Sequence, residues 1–120
     1  MKATKAYSRE LADRYDHRHF GGGSGRHILE RDTEALASLI GPTSRQVLDI
    51  PSGTGVYVKA LRERGYTTIA ADASLPMLEI TALQTSAPRL LCDINHMPFK
   101  ANSFGAITTI RLFSHYPKEQ

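Results

Sequence analysis

QVLDIPSGTG, residues 46–55, is the stretch of sequence that decides the fold. The apolar run at 47–50 is typical of a buried strand, and a loop containing Gly53 and Gly55 follows it directly. Residues 56–64 then have the pattern of a helix. A strand, a glycine loop and a helix in this order indicate a nucleotide-type binding site. Glycine lets the backbone approach a ligand closely, and the start of a helix offers unpaired N–H groups.

The spacing of the loop glycines bears on the kind of ligand. A dinucleotide fingerprint needs a third glycine, and Val58 stands in its place, which weakens a nicotinamide interpretation. A phosphate loop ends in Gly-Lys-Ser or Gly-Lys-Thr, and the sequence has no such run. Asp49, at the end of the first strand, would repel a bound phosphate. It favours a ligand with a cationic or hydrogen-donating part.

Aspartates end three successive predicted strands. Asp49 ends the first, Asp72 follows the second at 67–71, and Asp93 follows the third at 89–92. Aspartate is depleted in strands and costly to bury unpaired, so packing does not explain this pattern. The carboxyl ends of parallel strands meet at one edge of an open α/β sheet, where such sheets bind ligands. A carboxylate after the second strand is typical of sites that hold both hydroxyls of a ribose.

Residues 45–117 resemble the first motifs of class I S-adenosylmethionine-dependent methyltransferases, whose first strand is followed by an acidic-x-Gly-x-Gly-x-Gly loop. Asp49, Gly53 and Gly55 match this loop, while Pro51 stands where the first glycine is usual and requires a turn without an N–H at that point. The resemblance implies S-adenosyl-L-methionine as cofactor. The cofactor-binding residues that it implies, together with the acidic strand ends, are Asp49, Pro51, Gly53, Gly55, Asp72, Ala73, Met77, Asp93 and Ile94.

The resemblance also implies how the adenine ring is held. Asp93 would accept a hydrogen bond from the adenine amino group, and the backbone of Ile94 would meet the ring. Ala73 and Met77 would lie against adenine, and the alternative explanation for Met77 is a place in the core. Gly105 stands where the family commonly has an aspartate, a departure that concerns the start of the fourth strand.

The implied fold is α/β, a Rossmann-like doubly wound sheet. The family sheet has seven strands in the order 3-2-1-4-5-7-6, and the sequence supplies 3-2-1-4, with 106–110 as strand four and strands 5–7 absent. We therefore expect a truncated sheet, in a natural truncation or a fragment. Ile107 and Ile110 would lie on an unpaired edge, which predicts a dimer, a partner or aggregation. Residues 45–120 would form the cofactor-binding half-domain, and residues 1–44 an N-terminal helical lid or cap.

Two tyrosines mark the predicted lid. Tyr7 and Tyr15 lie on one stripe of a helix predicted at 4–16. The stripe is explained by packing or, from the resemblance, by a lid that brings a tyrosine near the transferred methyl group. The glycine-rich run 21–25 predicts a break in any helix, and a second helix is predicted at 27–40.

Other catalytic candidates lie after the fourth strand. Arg111 and His115 occupy the region where the family places groups that face the substrate, and either could contact the acceptor or act as a base. A surface loop explains them equally well. The residues that would define the methyl acceptor lie mostly beyond strand four, so the sequence does not identify it.

Composition and residue spacing narrow the possible partners, metal sites and cellular location. The net charge of +3 arises within residues 1–31, without the basic and aromatic clusters of nucleic-acid-binding proteins, so nucleic acid is an unlikely partner. The histidines lack zinc-site spacing, and no metal is expected. The single cysteine, Cys92, is interpreted as a small buried strand residue. With no apolar stretch of about 20 residues and no signal peptide, we expect a cytoplasmic protein without a membrane span.

Together these patterns predict a methyltransferase that acts by in-line displacement at a sulfonium methyl on a small-molecule acceptor, mainly through positioning and exclusion of water. Two alternatives remain open. One is a cofactor-binding subunit that depends on a partner and has no chemistry of its own. The other, less favoured, is an NAD-dependent oxidoreductase.

Overall fold

A computed structural model describes residues 23–110 as an α/β unit with helices and strands in alternation. In chain order the elements are α1 (Gly23–Ile40), β1 (Val47–Asp49), α2 (Val56–Glu63), β2 (Thr68–Asp72), α3 (Leu75–Gln84), β3 (Arg89–Leu91), a 3₁₀ turn (Ile94–His96) and β4 (Ala106–Thr108). The four strands are parallel and lie in the order β3-β2-β1-β4. The predicted order 3-2-1-4 and the Rossmann-like class are therefore confirmed.

β1 is the central strand of this sheet. It pairs with β2 on one side and with β4 on the other, so that Leu48 lies opposite both Ile69 and Ile107. Val47 and Leu48 are completely buried, as expected for a parallel strand covered on both faces. The chain leaves β1 toward β2 and later returns to β4 on the opposite side. This reversal creates a crevice beyond the carboxyl end of β1.

The two faces of the sheet are covered differently. On one face Val58 of α2 packs against Ala70 of β2. Since side chains alternate along a strand, Leu48 and its register partner Ile69 lie on the opposite face. Partly buried side chains of the segment after β3 cover that face, including the edge-to-face pair Phe99 and Phe104, whose ring centroids are 4.9 Å apart. Both faces thus stabilise the same short central strand.

A glycine ends α2 and a serine caps the start of α3. Gly65 follows α2 with φ +96°, and the N–H groups of Gly65 and Tyr66 donate to the carbonyls of Arg62 and Leu61, a Schellman motif. Ser74 begins α3, and its hydroxyl accepts a hydrogen bond from the Met77 N–H at 3.3 Å. These caps fix where each helix meets the sheet.

Two tyrosine hydroxyls attach α1 to the rest of the unit. Tyr57 of α2 donates to Asp32 at 2.8 Å, and Tyr66 donates to the carbonyl of Gly41 at 2.9 Å. Their partners are far apart in the sequence, so periodicity did not indicate these bonds. These two hydrogen bonds hold the second half of α1 against the rest of the unit.

The start of α1 corrects one prediction. The helix begins at Gly23, four residues before the predicted start at His27, so the glycine run at 21–25 does not break it throughout. Glycine costs about 1 kcal/mol in a helix interior, an amount that tertiary packing can offset. Gly25, within this run, is buried.

The third and fourth strands are shorter than predicted. β3 ends at Leu91, so Cys92 follows the strand and is partly buried instead of buried within it. Its N–H still donates to the Asp72 carbonyl at 3.0 Å, and burial, with Asp93 and Asp72 nearby, raises the pKa of its thiol. β4 ends at Thr108 instead of Ile110. Burial and the two nearby carboxylates thus disfavour the thiolate form of Cys92.

Gly105 departs from the family pattern for a steric reason. A Cβ atom at this position would lie 2.7 Å from the Thr43 hydroxyl and 3.0 Å from the Arg45 Cβ. The Gly105 N–H donates to the Gln46 carbonyl at 2.8 Å, which aligns the start of β4 beside β1. Only glycine fits this approach without displacement of the chain before β1.

Within residues 23–110, no helix combines the length and the apolar character needed to cross a bilayer.

Candidate functional site

The predicted carboxylates lie at the carboxyl edge of the sheet. Asp49 and Asp72 are the last residues of the adjacent strands β1 and β2, and their exposed fractions are 1% and 7%. Asp93 follows β3 and starts the 3₁₀ turn. The fold therefore brings all three aspartates to one edge, as the sequence predicted.

Asp72 connects the glycine loop to the start of α3. Its Oδ2 accepts the Gly53 N–H at 2.8 Å, and its Oδ1 accepts the Ser74 N–H at 2.9 Å. Burial raises the pKa of Asp72, although the N–H groups of Gly53, Ser74 and Ala73 stabilise its ionised form. With three N–H donors on its roughly four acceptor positions, the carboxylate keeps at least one position for a ligand hydroxyl.

Asp49 has a different environment, set by β4. Its Oδ1 accepts a hydrogen bond from the Thr108 hydroxyl at 2.7 Å. Burial raises the pKa of Asp49 to about 7; the Thr108 bond opposes this rise and the charge of Asp72 adds to it. The carboxyl therefore keeps its proton to a higher pH than an ordinary aspartate does. A positively charged ligand group beside it would favour the ionised form.

The loop between β1 and α2 depends on its glycines. Gly53 and Gly55 have φ of +59° and +87°, values that other residues rarely adopt. A Cβ at Gly53 would enter open space, whereas one at Gly55 would lie 2.7 Å from Cγ2 of Thr81. The loop is therefore open at Gly53 and tightly packed at Gly55. A ligand can approach the backbone at Gly53.

Pro51 occupies a turn that has no need of its N–H. The Ile50–Pro51 peptide bond is cis. On either side of Pro51, the Ile50 N–H donates to the Thr108 carbonyl at 2.9 Å and the Ser52 N–H donates to the Ala71 carbonyl at 2.8 Å. The loop is thus attached to β4 before Pro51 and to β2 after it. The proline interrupts neither attachment.

Ser52 carries a polar atom that the fold itself does not use. Its hydroxyl is buried and has no hydrogen-bond partner among the described side chains and backbone. Buried polar groups in proteins are nearly always paired. An unpaired hydroxyl inside the glycine loop fits a loop that completes its contacts with a ligand.

The residues predicted beside adenine have mixed environments. Met77 is 1% exposed and packs against Ile80, as its core interpretation predicted, and Ala73 and Ile94 are half-buried. Asp93 uses Oδ1 to accept the Asn95 N–H at 3.0 Å, and its side chain is 23% exposed. Asp93 is thus the most open of the three aspartates. Its contact with adenine stays a prediction.

The catalytic candidates Tyr7, Tyr15, Arg111 and His115 lie outside the described residues. Within residues 23–110, no group of three or more His, Cys, Asp or Glu side chains could hold a metal ion.

Three polar residues of the site were missed by the sequence interpretation. Thr108 bonds Asp49, Thr81 lies within hydrogen-bond distance of the Gly53 carbonyl at 3.2 Å, and Gln84 donates to the Thr54 carbonyl at 3.1 Å. For Thr108 a signal existed, since the parallel register of β4 places it opposite Asp49. Thr81 and Gln84 gave no such signal, because their partners depend on how α3 packs beneath the loop.

Two other hollows on the described surface lack this chemistry. An open cleft of about 580 Å³ lies at the opposite edge of the sheet, between the turn at 42–44 and the turn at 64–66. A second hollow of about 410 Å³ lies between α1 and α2 and is lined by both acidic and basic side chains. Neither contains the glycine loop or the buried carboxylates. The carboxyl edge is therefore the candidate site.

Comparison with known proteins agrees with this geometry. Residues 48–120 match the family model described as a methyltransferase domain. A demethylmenaquinone methyltransferase from Mycobacterium sp. (strain KMS) is 35% identical over 98 residues, which cover 82% of this chain and 42% of that protein. One from Corynebacterium urealyticum is 40% identical over 63 residues, covering 52% of this chain and 27% of that protein.

Two further relatives broaden the comparison. A dTDP-3-amino-3,6-dideoxy-alpha-D-glucopyranose N,N-dimethyltransferase from Streptomyces fradiae is 34% identical over 74 residues, covering 62% of this chain and 29% of that protein. A crystal structure of a protein from Methanococcus maripaludis, assigned as an S-adenosyl-L-methionine-dependent methyltransferase, superposes with a TM-score of 0.74 at 20% identity over 92% of this chain and 53% of that one. At 20% identity, the similarity to this structure shows a shared fold and nothing more. The chain spans less than half the length of these curated relatives.

Proposed function

The chain belongs to the class I S-adenosylmethionine-dependent methyltransferases, and from this premise we propose that it transfers the methyl group of S-adenosyl-L-methionine to a small-molecule acceptor. The observation that carries the proposal is the pair of buried carboxylates, Asp49 and Asp72, on either side of the glycine loop. Asp72 holds the loop through N–H groups and keeps acceptor capacity for a ligand hydroxyl. The other ionises most readily beside a cation.

In this proposal, each residue at the carboxyl edge is assigned to one part of the cofactor. Asp72 would accept hydrogen bonds from both ribose hydroxyls while it holds the loop through the Gly53 N–H. Asp49 would face the positively charged end, where ligand charge lowers the cost of ionising a buried carboxyl. Asp93 and the backbone of Ile94 would meet the adenine edge, and Ala73 and Met77 would lie along the ring. Pro51, Gly53 and Gly55 would shape the loop around the remainder of the cofactor.

The contribution of the protein to the reaction would be positioning. Bound S-adenosylmethionine supplies an electrophilic methyl group on a sulfonium centre. The chain holds the donor in one orientation and shields it from water, so that displacement follows when the acceptor is aligned. Tyr7, Tyr15, Arg111 and His115 stay as candidates for contact with the acceptor or for proton removal. Residues 1–44 are proposed as the cap and residues 45–120 as the cofactor-binding half.

The proposed acceptor class rests on the relatives. Several of them are named demethylmenaquinone methyltransferases and one is named for a nucleotide-linked amino sugar, so small-molecule acceptors are common to them. Demethylmenaquinone is accordingly the first acceptor to assay. Cytoplasmic location stays a prediction that cell fractionation would test.

A second candidate function is a cofactor-binding subunit that acts only with a partner. The supporting observation is β4, which pairs with β1 on one side and, within residues 23–110, has no strand on the other. Ile107 on this strand is 51% exposed. A dimer or a partner that adds to this edge would cover it. Light scattering of the purified chain separates these assemblies from a monomer.

Calorimetric titration with S-adenosylhomocysteine and with NAD tests the proposal. We expect saturable binding of S-adenosylhomocysteine and none of NAD, because Val58 occupies the position of the third glycine of the dinucleotide fingerprint and is completely buried. Binding of NAD alone would overturn the proposed function. Binding of S-adenosylhomocysteine without methyl transfer to any acceptor, restored by a second protein, would favour the partner-dependent subunit.

A further inference from the structure

Thr81 has more contacts than its place in a helix requires. It is completely buried in α3, and its hydroxyl lies 3.0 Å from the Met77 carbonyl and 3.2 Å from the Gly53 carbonyl. A bond to the carbonyl four residues earlier is the usual arrangement for threonine inside a helix. The Gly53 carbonyl belongs to the glycine loop, and helix geometry does not account for this second neighbour.

The methyl group of Thr81 also meets the loop. A Cβ atom on Gly55 would lie 2.7 Å from its Cγ2 atom, so Thr81 fills the space beneath Gly55. One turn later in α3, Nε2 of Gln84 donates to the Thr54 carbonyl at 3.1 Å. Two side chains of α3 thus contact three consecutive residues of the loop.

Gly53 is consequently held from both sides of its backbone. Its N–H donates to Asp72 Oδ2 at 2.8 Å, and its carbonyl lies 3.2 Å from the Thr81 hydroxyl. Asp72 fixes the loop relative to the sheet, while Thr81 fixes it relative to α3. A ligand-binding backbone that is held in advance loses less conformational freedom on binding.

We propose that Thr81 and Gln84 are positioning residues that hold the glycine loop in the conformation that binds S-adenosylmethionine. The inference rests on the proposed function, because it assigns a role in binding that cofactor. Neither residue touches the reacting atoms in this proposal. Both act through the backbone of residues 53–55.

Thr33 provides a matched control for Thr81. It is also completely buried in a helix, α1, and its hydroxyl donates to the Leu29 carbonyl four residues earlier at 2.6 Å. Thr33→Val and Thr81→Val therefore make the same chemical change in the same local setting. Only Thr81→Val removes a hydroxyl that also lies within hydrogen-bond distance of the glycine loop.

The affinity for S-adenosylhomocysteine is measured by calorimetry, and the free energy of unfolding by urea titration. Thr81→Val should weaken binding about 10-fold, near the upper range for one hydrogen bond, while Thr33→Val changes it less than about 2-fold. Thr81→Ser keeps the hydroxyl and loses the methyl group, so it should bind within about 2-fold of the original protein although it is less stable. A purely structural role would instead make affinity follow stability across the three variants.

Gln84→Ala supplies a second test, with Leu83→Ala as its control, because Leu83 is 73% exposed on the same helix. We expect about 3-fold weaker binding for the first and no change for the second. Unchanged affinity in both Thr81→Val and Gln84→Ala would overturn the proposal.

Amide hydrogen exchange without ligand separates this inference from the proposed function. Thr81→Val should speed exchange of the Gly53 and Gly55 amides several-fold relative to Thr33→Val. If the original protein fails to bind S-adenosylhomocysteine, the proposed function and the binding role of Thr81 both fall. Unaltered exchange at these amides would overturn the inference that Thr81 holds the loop, whether or not the protein binds S-adenosylhomocysteine.

Discussion

Replacement of Asp49 by asparagine should stabilise the protein at neutral and alkaline pH. Asparagine keeps an oxygen that can accept the Thr108 hydrogen bond, now 2.7 Å long, but it cannot ionise. In the folded protein burial raises the pKa of Asp49 from the ordinary value of 3.8 to about 7. Below pH 3.8 the carboxyl is protonated in both the folded and the unfolded protein, and its titration then makes no difference to stability.

The size of the effect follows from linkage between proton binding and folding. Between pH 3.8 and about 7 the folded protein retains a proton that the unfolded protein releases, so stability falls as the pH rises through this window. At about 1.4 kcal/mol per pH unit, the loss by pH 7 is about 4 kcal/mol and then levels off. Since Asp49 is 1% exposed, solvent screening does little to reduce this value.

Urea unfolding followed by circular dichroism at intervals from pH 4 to pH 8.5 measures the effect. The free energy of unfolding of Asp49→Asn, minus that of the original protein, should increase with pH and reach about 4 kcal/mol above pH 7. Thr108→Val should extend the pH-dependent loss of stability to higher pH, because the Thr108 hydroxyl favours the ionised carboxyl. A difference that is constant across the pH range would refute the reasoning. Asp49→Asn should also weaken S-adenosylhomocysteine binding, opposite in direction to its effect on stability.

Three further predictions concern the ligand and the loop. Asp72→Asn should abolish measurable S-adenosylhomocysteine binding, because the paired ribose acceptor is lost; calorimetry that shows unchanged affinity would reject the assignment. Asp93→Ala should weaken adenosine binding by about 1–2 kcal/mol and leave purine riboside, which lacks the amino group, nearly unaffected; equal losses would contradict the adenine role. Gly53→Ala should cost about 1–2 kcal/mol of stability for its positive φ, and Gly55→Ala should cost clearly more in urea unfolding, because its new methyl group would lie 2.7 Å from Thr81.

Much of the sheet was predictable because each strand carries its own local signals. The apolar run of β1, the glycines after it and the aspartates at successive strand ends are all local signals, whereas the order β3-β2-β1-β4, which the structure confirms, was implied by the family resemblance that these motifs carry. The caps at Ser74 and Gly65 were predictable for the same reason. These features depend on neighbours only a few residues away.

The remainder depends on contacts between distant parts of the chain. The pKa of Asp49 reflects burial and the Thr108 hydroxyl, 59 positions further along the chain. The start of α1 at Gly23 runs against the poor local helix propensity of a glycine-rich run. The need for glycine at 105 arises from Thr43, which belongs to the chain before β1. None of these three features can be predicted from the hydrophobic periodicity of the sequence.

The parallel arrangement of the sheet divides the protein into a binding end and a connecting end. The carboxylates and the glycine loop lie where the strands finish, while the turns at 42–46, 64–67 and 85–88 lie where the strands begin. A change of length in those turns would alter the path of the chain from each helix to the next strand. It would leave the strand ends in register. An engineer who wished to insert a fluorophore site or a fusion partner would choose the connecting end and leave Gly65 unchanged, because its φ of +96° is one that other residues rarely adopt. The same separation lets such an insertion be varied independently of ligand recognition.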